Sequence, residues 1–445
     1  MSVSVYRGKF GAEQAERLLW RAGFGPRPGE AAALAAQGLI GATGSLVRPP
    51  KEKLTGPAPV DGDGQPIAPY DAWGHDGLWW LDRMVRSNRP LVERMTLLWH
   101  DWFATSNGEV GSQRLMLRQN RLFRRLALGS FRNLLLEVTR DPAMLIFLSG
   151  IENTKFAPNE NYGRELMELF TLGAGRGYTE RDVREQARAL TGFRADYREP
   201  LGLVRFRFDR RLHDGGTKKI LGKRGSFTWR DSCQLCLEHR NHPEFFITKL
   251  WSYFIPVAPP RATKAELERL YVARNYQVRP VLLAILRHPL LYEGPRMVKP
   301  PAVYLAGMLR ALGKGIDRES WSWVSGLMGQ QLFYPPNVAG WDDKRWLDTS
   351  TWRGRWIAVT QATERQRIET NAPYDTAEDP VAAVDKAIAF WGAPTISPQT
   401  RDALIAFSQR VANGATTKSK KRSYPILRQN ALRTLVATCP DLQTC

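Results

Sequence analysis

The sequence predicts a mainly α-helical protein, a multi-helix, bundle-like globular fold with a small inserted β-hairpin. Three observations carry that expectation. Apolar residues recur at helical spacing in segment after segment, and clusters of Gly, Pro and Asp punctuate them. Period-two alternation is confined to one stretch, where Val204, Phe206 and Phe208 alternate with Arg205, Arg207 and Asp209. With 445 residues, 43% of them hydrophobic, the chain can bury a sizeable core without covalent staples.

Each element has a local reason. Over residues 12–23, Ala15, Leu18, Leu19 and Ala22 fall at i, i+3, i+4 and i+7 and Gly23 supplies the exit, which predicts an amphipathic helix. Residues 48–72 are rich in Pro, Gly and Asp, lack periodicity and read as a surface loop. Within it Asp61-Gly-Asp63-Gly invites a calcium loop, but the twelfth position, which should hold a bidentate Glu, is Ala72, so a turn is the better reading. Four helical segments follow between 73 and 150 (WWLDRMVRS, LVERMTLLWHDWFATS, QRLMLRQNRLFRRLALG and FRNLLLEVTRD) and predict a bundle.

Thr179 and Asp182 make a capping-box variant, after which Val183, Ala187 and Leu190 form a buried stripe ending at Gly192. Residues 194–224 are then expected to form the basic hairpin insertion, with the 204–208 run as one strand and KKILG as a second extended run. The remaining segments read as helices, Pro300 and Pro301 sitting where a first turn tolerates them. Residues 412–423 (ANGATTKSKKRS) read as a basic loop before the last helix.

Composition bounds the function. Lys plus Arg number 64 against 44 Asp plus Glu, a formal charge of +20, which fits an anionic partner such as nucleic acid, acidic glycan or membrane surface. No zinc-finger, RNA-recognition or homeodomain signature accompanies it. Four cysteines are too few for a disulfide framework. The start of the chain lacks a secretory h-region and cleavage site, which favours a cytoplasmic location, and no stretch is apolar enough to span a bilayer.

The densest chemistry lies in PNENYGRELMELF, residues 158–170. On a helix of about 100° per residue with Asn161 at zero, Glu165 falls near 40°, Glu168 near 340° and Arg164 near 300°. Leu166, Leu169 and Phe170 lie between roughly 80° and 180°, so one face is acidic and the other is core. Two carboxylates at i and i+3 can converge on a proton or a metal ion, with Asn161 beside them and Arg164 holding one of them ionised. The plainer alternative is a solvated helix face with Asn159 as its N-cap.

A second cluster is His213-Asp214-Gly-Gly-Thr-Lys218-Lys219, in which a His-Asp pair could supply a base and Lys218 an anion anchor. Its plainer reading is a glycine turn carrying solvated charge. His100, flanked by Trp99 and Trp102, is a third candidate, against the commoner case of an interior histidine. Cys233, Cys236, His239 and His242 at spacings of three would spread over half a helix circumference, which argues against zinc. No P-loop or nucleophile elbow is present.

Seven blocks carry a family resemblance: RLLWRAGFGPRPGE (17–30), WHDWFATS (99–106), RDPAMLIFLSGIENTKFAPNENYGRELMELFTLG (140–173), YTERDVREQARALTGF (178–193), HDGGTKKILG (213–222), HPEFFITKL (242–250) and PPNVAGWDDKRWLDTST (335–351). In that order the chain resembles the bacterial domain of unknown function 1800 family over nearly its whole length, so 1–445 is expected to be one family unit. The resemblance implies a mainly helical bacterial protein with no agreed activity. It also implies frequent export, hence a periplasmic location, and a sulfatase-like neighbour-family protein as a partner. Gly163 stands where the family usually carries Ala, and Asp342-Asp343-Lys344 replaces the glycines expected after PPNVAGW.

These readings converge on a hydrolase or group-transfer enzyme acting on an anionic substrate. Its cleft would bring Asn161, Glu165 and Glu168 to His213 and Asp214, with His100 nearby. Glu165, Glu168, His213, Asp214 and His100 are the expected catalytic groups, and Asn159, Asn161, Arg164 and Lys218 the expected substrate contacts. A divalent metal, if used, would be held by Glu165, Glu168 and His213. The alternative is a non-catalytic scaffold or assembly protein that holds an anionic partner on its basic surface.

Overall fold

Helix formation follows the punctuation of the chain. The computed structural model describes residues 3–445, in which 23 α-helices dominate and the sheets are two antiparallel hairpins. The helix Ala12–Ala22 buries Ala15, Leu18, Leu19 and Ala22 and stops before Gly23. Thr179 and Asp182 form a reciprocal cap on the helix Glu180–Ala189, which buries Val183 and Ala187. Pro301 occupies the first turn of Pro301–Ala311, where no backbone donor is needed. Among the described residues no helix is long and apolar enough to cross a membrane.

The residues cluster into two compact, discontinuous units. The first takes in 3–6, 92–291 and 333–341; the second takes in 7–91, 292–332 and 342–445. Of the four helices expected between 73 and 150, His75–Arg86 therefore belongs to the second unit, whereas Gln113–Leu126 and Phe131–Thr139 belong to the first.

Aromatic packing makes the core of the first unit. Trp102, Phe131, Phe246 and Tyr271 are fully enclosed, with Phe246 and Tyr271 stacked at 4.0 Å. The indole N–H groups find backbone acceptors, Trp99 donating to Ala127 O (3.0 Å) and Trp102 to Phe170 O (3.2 Å). The second unit buries cations on backbone carbonyls: Arg21 on Cys445 O (2.7 Å), Lys299 on Leu442 O (2.9 Å) and Arg355 on Lys299 O (2.9 Å).

Two sequence expectations change. The inserted β-structure is two hairpins: β1 (Phe193–Arg198) pairs with β2 (Gly202–Phe208), and β3 (Lys218–Ile220) pairs with β4 (Lys223–Gly225). KKILG turns back on itself because Leu221 and Gly222 both take positive φ, 48° and 81°, the geometry of a tight two-residue hairpin turn. The basic loop expected over 412–423 is short as well. One helix runs to Asn413 and the next starts at Lys418, capped by the Thr417 hydroxyl, so the KSKKRS run is helical. The 48–72 segment keeps its loop character, and Asp61 Oδ1 accepts the N–H groups of Asp63 (3.1 Å) and Gln65 (2.7 Å), a turn in place of a calcium loop.

Helix contact in the second unit depends on glycine. A Cβ on Gly354, in the helix Thr349–Thr363, would collide with the Leu327 carbonyl and lie 2.9 Å from Met328 N. Gly354→Ala is therefore expected to lower stability by about 1–3 kcal/mol, read by denaturant titration. Gly44, inside the helix Gly38–Val47, has open space around it, and Gly44→Ala should raise stability by about 0.5–1 kcal/mol. Equal responses at the two sites would refute the close-approach account.

Candidate anion-binding cleft

The helix Gln113–Leu126 has one buried face and one arginine edge. Met116, Leu117, Gln119, Asn120, Leu122 and Phe123 point inward. Arg114, Arg118, Arg121 and Arg125 recur at i, i+4, i+7 and i+11, which places them within an arc of about 60°. Like charges one turn apart cost about 0.2–0.5 kcal/mol per pair. Arg118 and Arg125 are exposed and form no ion pair among the described residues.

Three of these arginines form one wall of a cleft of about 490 Å³ within the first unit. Arg140 and Arg207 approach from other sides, and Arg230 completes a set of six guanidinium groups. Arg140 is bonded to Glu137 at 2.6 Å, Arg207 to Asp196 at 2.9 Å, and Arg230 lies 4.4 Å above the Trp229 ring. The same cleft is also lined by a ring wall, Phe193, Phe206, Phe208 and Trp229. Phe193 organises it, touching Phe208 edge-on at 5.5 Å and Trp229 at 5.7 Å.

Asp141 forms the floor. Its Oδ1 caps the helix Pro142–Phe147 through Ala143 N (3.1 Å) and Met144 N (3.2 Å) and accepts Gln119 Nε2 at 2.9 Å. Burial pushes this carboxyl up to about 6, against the opposing pull of the Met144 N–H, Gln119 and Arg118. The cleft thus sets six arginines against Glu137 and a carboxyl that is already easy to protonate.

The residues singled out by sequence lie elsewhere. Asn161–Glu165 is one α-helical turn that continues through a wider, π-type turn, Leu166–Thr171, marked by Leu172 N bonding Met167 O at 2.8 Å. Arg164 is engaged by Glu180 at 2.7 and 2.9 Å and by Glu160 at 3.2 Å. Glu165 is half-buried, and burial with the charge of Glu168 raises its carboxyl. Asn159 Oδ1 accepts Asn161 N at 2.9 Å, and Asn159 N donates to Asn153 Oδ1 at 2.9 Å, so these amides shape the turn ahead of the helix.

His213 packs on Thr191, with Nδ1 3.0 Å from Thr191 O, and its ring lies 5.3 Å from Phe208. Burial lowers its pKa. Burial raises the Asp214 carboxyl, but bonds from Arg188 (2.7 Å) and Gly216 N (2.8 Å) outweigh it and hold it below the usual range. The Lys218 ammonium is buried and donates to Asp214 O and Gly216 O within its own loop, so the anion anchor expected there is a loop clamp.

The metal set does not assemble. Arg164 meets the helix Glu180–Ala189 at its first residue and His213 meets the chain at Thr191, roughly 16 Å further along the axis. Among the described residues no three His, Cys, Asp or Glu side chains, Glu165, Glu168 and His213 included, are grouped to hold a metal ion. His100 is wholly buried among Phe123, Phe333 and Trp341, at 6.1, 5.6 and 5.5 Å, and burial lowers its pKa to about 3. Cys233 and Cys236 are buried beside Thr139 (3.2 Å) and Gln186 (3.0 Å).

A model of the family described as protein of unknown function (DUF1800) matches residues 17–444. The chain belongs to the DUF1800 family. No curated protein and no solved structure matches it. In this DUF1800 chain the blocks of resemblance serve largely as joints. Tyr162 OH donates to Thr139 Oγ1 at 2.9 Å, two residues from Asp141, and Asp101 Oδ1 accepts Trp341 N at 2.8 Å, joining WHDWF to PPNVAGW. The cleft arginines fell outside the sequence reading, although their 4-3-4 spacing in QRLMLRQNRLFRR was a usable signal.

Buried imidazoles set an acid limit. His242, bonded to Thr171 O and Tyr271 OH at 3.0 Å each, is lowered by burial to about 4, and His100 to about 3, against 6.5 for the free ring. The unfolded chain takes up these protons first, so the stability is whole above pH 6.5 and falls as pH drops towards 4 and 3. His100→Phe is expected to flatten the acid limb of a Tm against pH curve, and an unchanged limb would exclude His100 as its source.

Proposed function

We propose that this DUF1800 protein binds an anionic ligand in the arginine cleft of its first unit. The observation that carries the reading is the placement of Arg118 and Arg125: both exposed, neither in an ion pair among the described residues, and both lining one cleft, where the charge of Arg118 acts on the buried carboxyl of Asp141. A solvated helix face gains nothing from this arrangement, whereas an anion entering the cleft offsets the repulsion of every arginine at once. The reading is that of a binding or assembly protein. A hydrolase or group-transfer reading draws its support from one observation, the raised Glu165 carboxyl beside Glu168.

Heparin serves as a generic polyanion probe. Its association constant should fall steeply between about 50 and 200 mM salt, and Arg118→Ala with Arg125→Ala should weaken binding and reduce the log–log salt slope by about 2. A slope unchanged by both substitutions would move the site away from this cleft.

The pH dependence follows from Asp141. Its carboxyl is raised to about 6 in the folded protein, so the fold is favoured by its protonation and loses that contribution as pH rises through 6. The same proton removes a negative charge from the cleft. Heparin affinity should therefore rise as pH falls from 7 to about 5, and Asp141→Asn, which keeps an oxygen acceptor for the cap, should flatten that rise.

A further inference from the structure

We infer that the ligand is single-stranded nucleic acid, its phosphates on the arginine edge and its bases against the ring wall, an inference that rests on the anion-binding reading above. Charge alone is met by any polyanion. The ring wall is the additional feature. Phe206 is half-exposed on β2 between two exposed arginines, Arg205 and Arg207, and it lines the same cleft as Arg118, Arg121 and Arg125. A ligand made only of charged groups would leave that ring wet among cations, whereas a base would cover it and bring its own phosphate to the arginines.

Arg230 sets its guanidinium carbon 4.4 Å over the Trp229 ring, a cation–π contact of the kind arginine also makes with bases. Size favours an unpaired strand. A cleft of about 490 Å³ falls in the range of small-molecule pockets and so takes a nucleotide-sized piece of a chain, while a duplex keeps its base faces stacked internally. The rings can take the face of any base, and the arginines, which can also bond the guanine edge, add at most a preference for guanine.

The test uses fluorescence anisotropy on the full chain with a labelled oligothymidylate of about 12 nucleotides, a duplex of the same length, and labelled heparin. The oligothymidylate should bind more tightly than the duplex. Phe206→Leu, which keeps an apolar side chain but removes the ring, should weaken the oligothymidylate about tenfold and leave heparin unchanged, whereas Arg118→Ala with Arg125→Ala should weaken both. Thermal melts of each variant separate lost binding from lost folding, and Phe206→Tyr should restore oligothymidylate binding. Heparin bound without the oligothymidylate would overturn this inference and leave the anion-binding reading intact. Duplex preferred over single strand, or Phe206→Leu acting equally on both probes or on neither, would also overturn it. No binding of either probe would overturn both readings.

Discussion

Within the first unit, the carboxyl of Asp141 holds together three things on which the cleft depends: the start of the Pro142–Phe147 helix, the buried face of the arginine helix through Gln119, and the charge balance of the floor. Gln119 passes the connection on, donating also to Thr105 Oγ1 at 3.2 Å. With its inner face held in this way, the Gln113–Leu126 helix turns its arginine edge, with Leu122, to the cleft. The cost is a desolvated carboxyl, offset by N–H donors and by Arg118.

Net charge and accessible charge are different quantities here. In the second unit Arg21, Lys299, Arg310 and Arg355 are all at most 2% exposed. Backbone carbonyls take most of their hydrogen bonds, and burial lowers Lys299 to about 8. Those cations contribute to the formal +20 but not to the surface field. In the first unit Arg118 and Arg125 do the reverse: both are exposed, and among the described residues neither is held in an ion pair. The distribution of charge, more than its sum, points to the cleft.

The recognisable blocks of the chain owe much of their density to packing. Tyr162 in the Asn-Glu-Asn-Tyr stretch reaches inward to Thr139, which also touches Cys233. Asn153 bonds Ala187 O at 2.9 Å and accepts Asn159 N, closing the turn ahead of that helix. Gly340, at φ 93°, lies so close to Asp101 that a Cβ would collide with it. Such groups need specific residue types because a buried polar partner left unmatched is costly. The acids Glu165 and Glu168 form the wet edge of this joint, and their coupling through space is what remains of the catalytic expectation.

Local sequence determined the elements with clear signals: the helix Ala12–Ala22 by its stripe and glycine exit, the helix Glu180–Ala189 by its cap, and the strand ending at Phe208 by its alternation. Those features are written in neighbouring residues, so they are legible without a fold. The segment after Thr417 shows the limit, because the KSKKRS run that reads as a basic loop is the capped first part of the helix Lys418–Thr438. The candidate site was legible only in part. His213 and Phe208 were both visible as residues, but not their contact, nor that Phe206 and Arg118, roughly 90 residues apart in the chain, line one cleft. Likewise sequence could list His100, Lys218 and Glu165 as titratable groups but not their surroundings. Burial among rings, a loop's own carbonyls and a neighbouring acid gave each a different fate, and only tertiary packing supplies those neighbours.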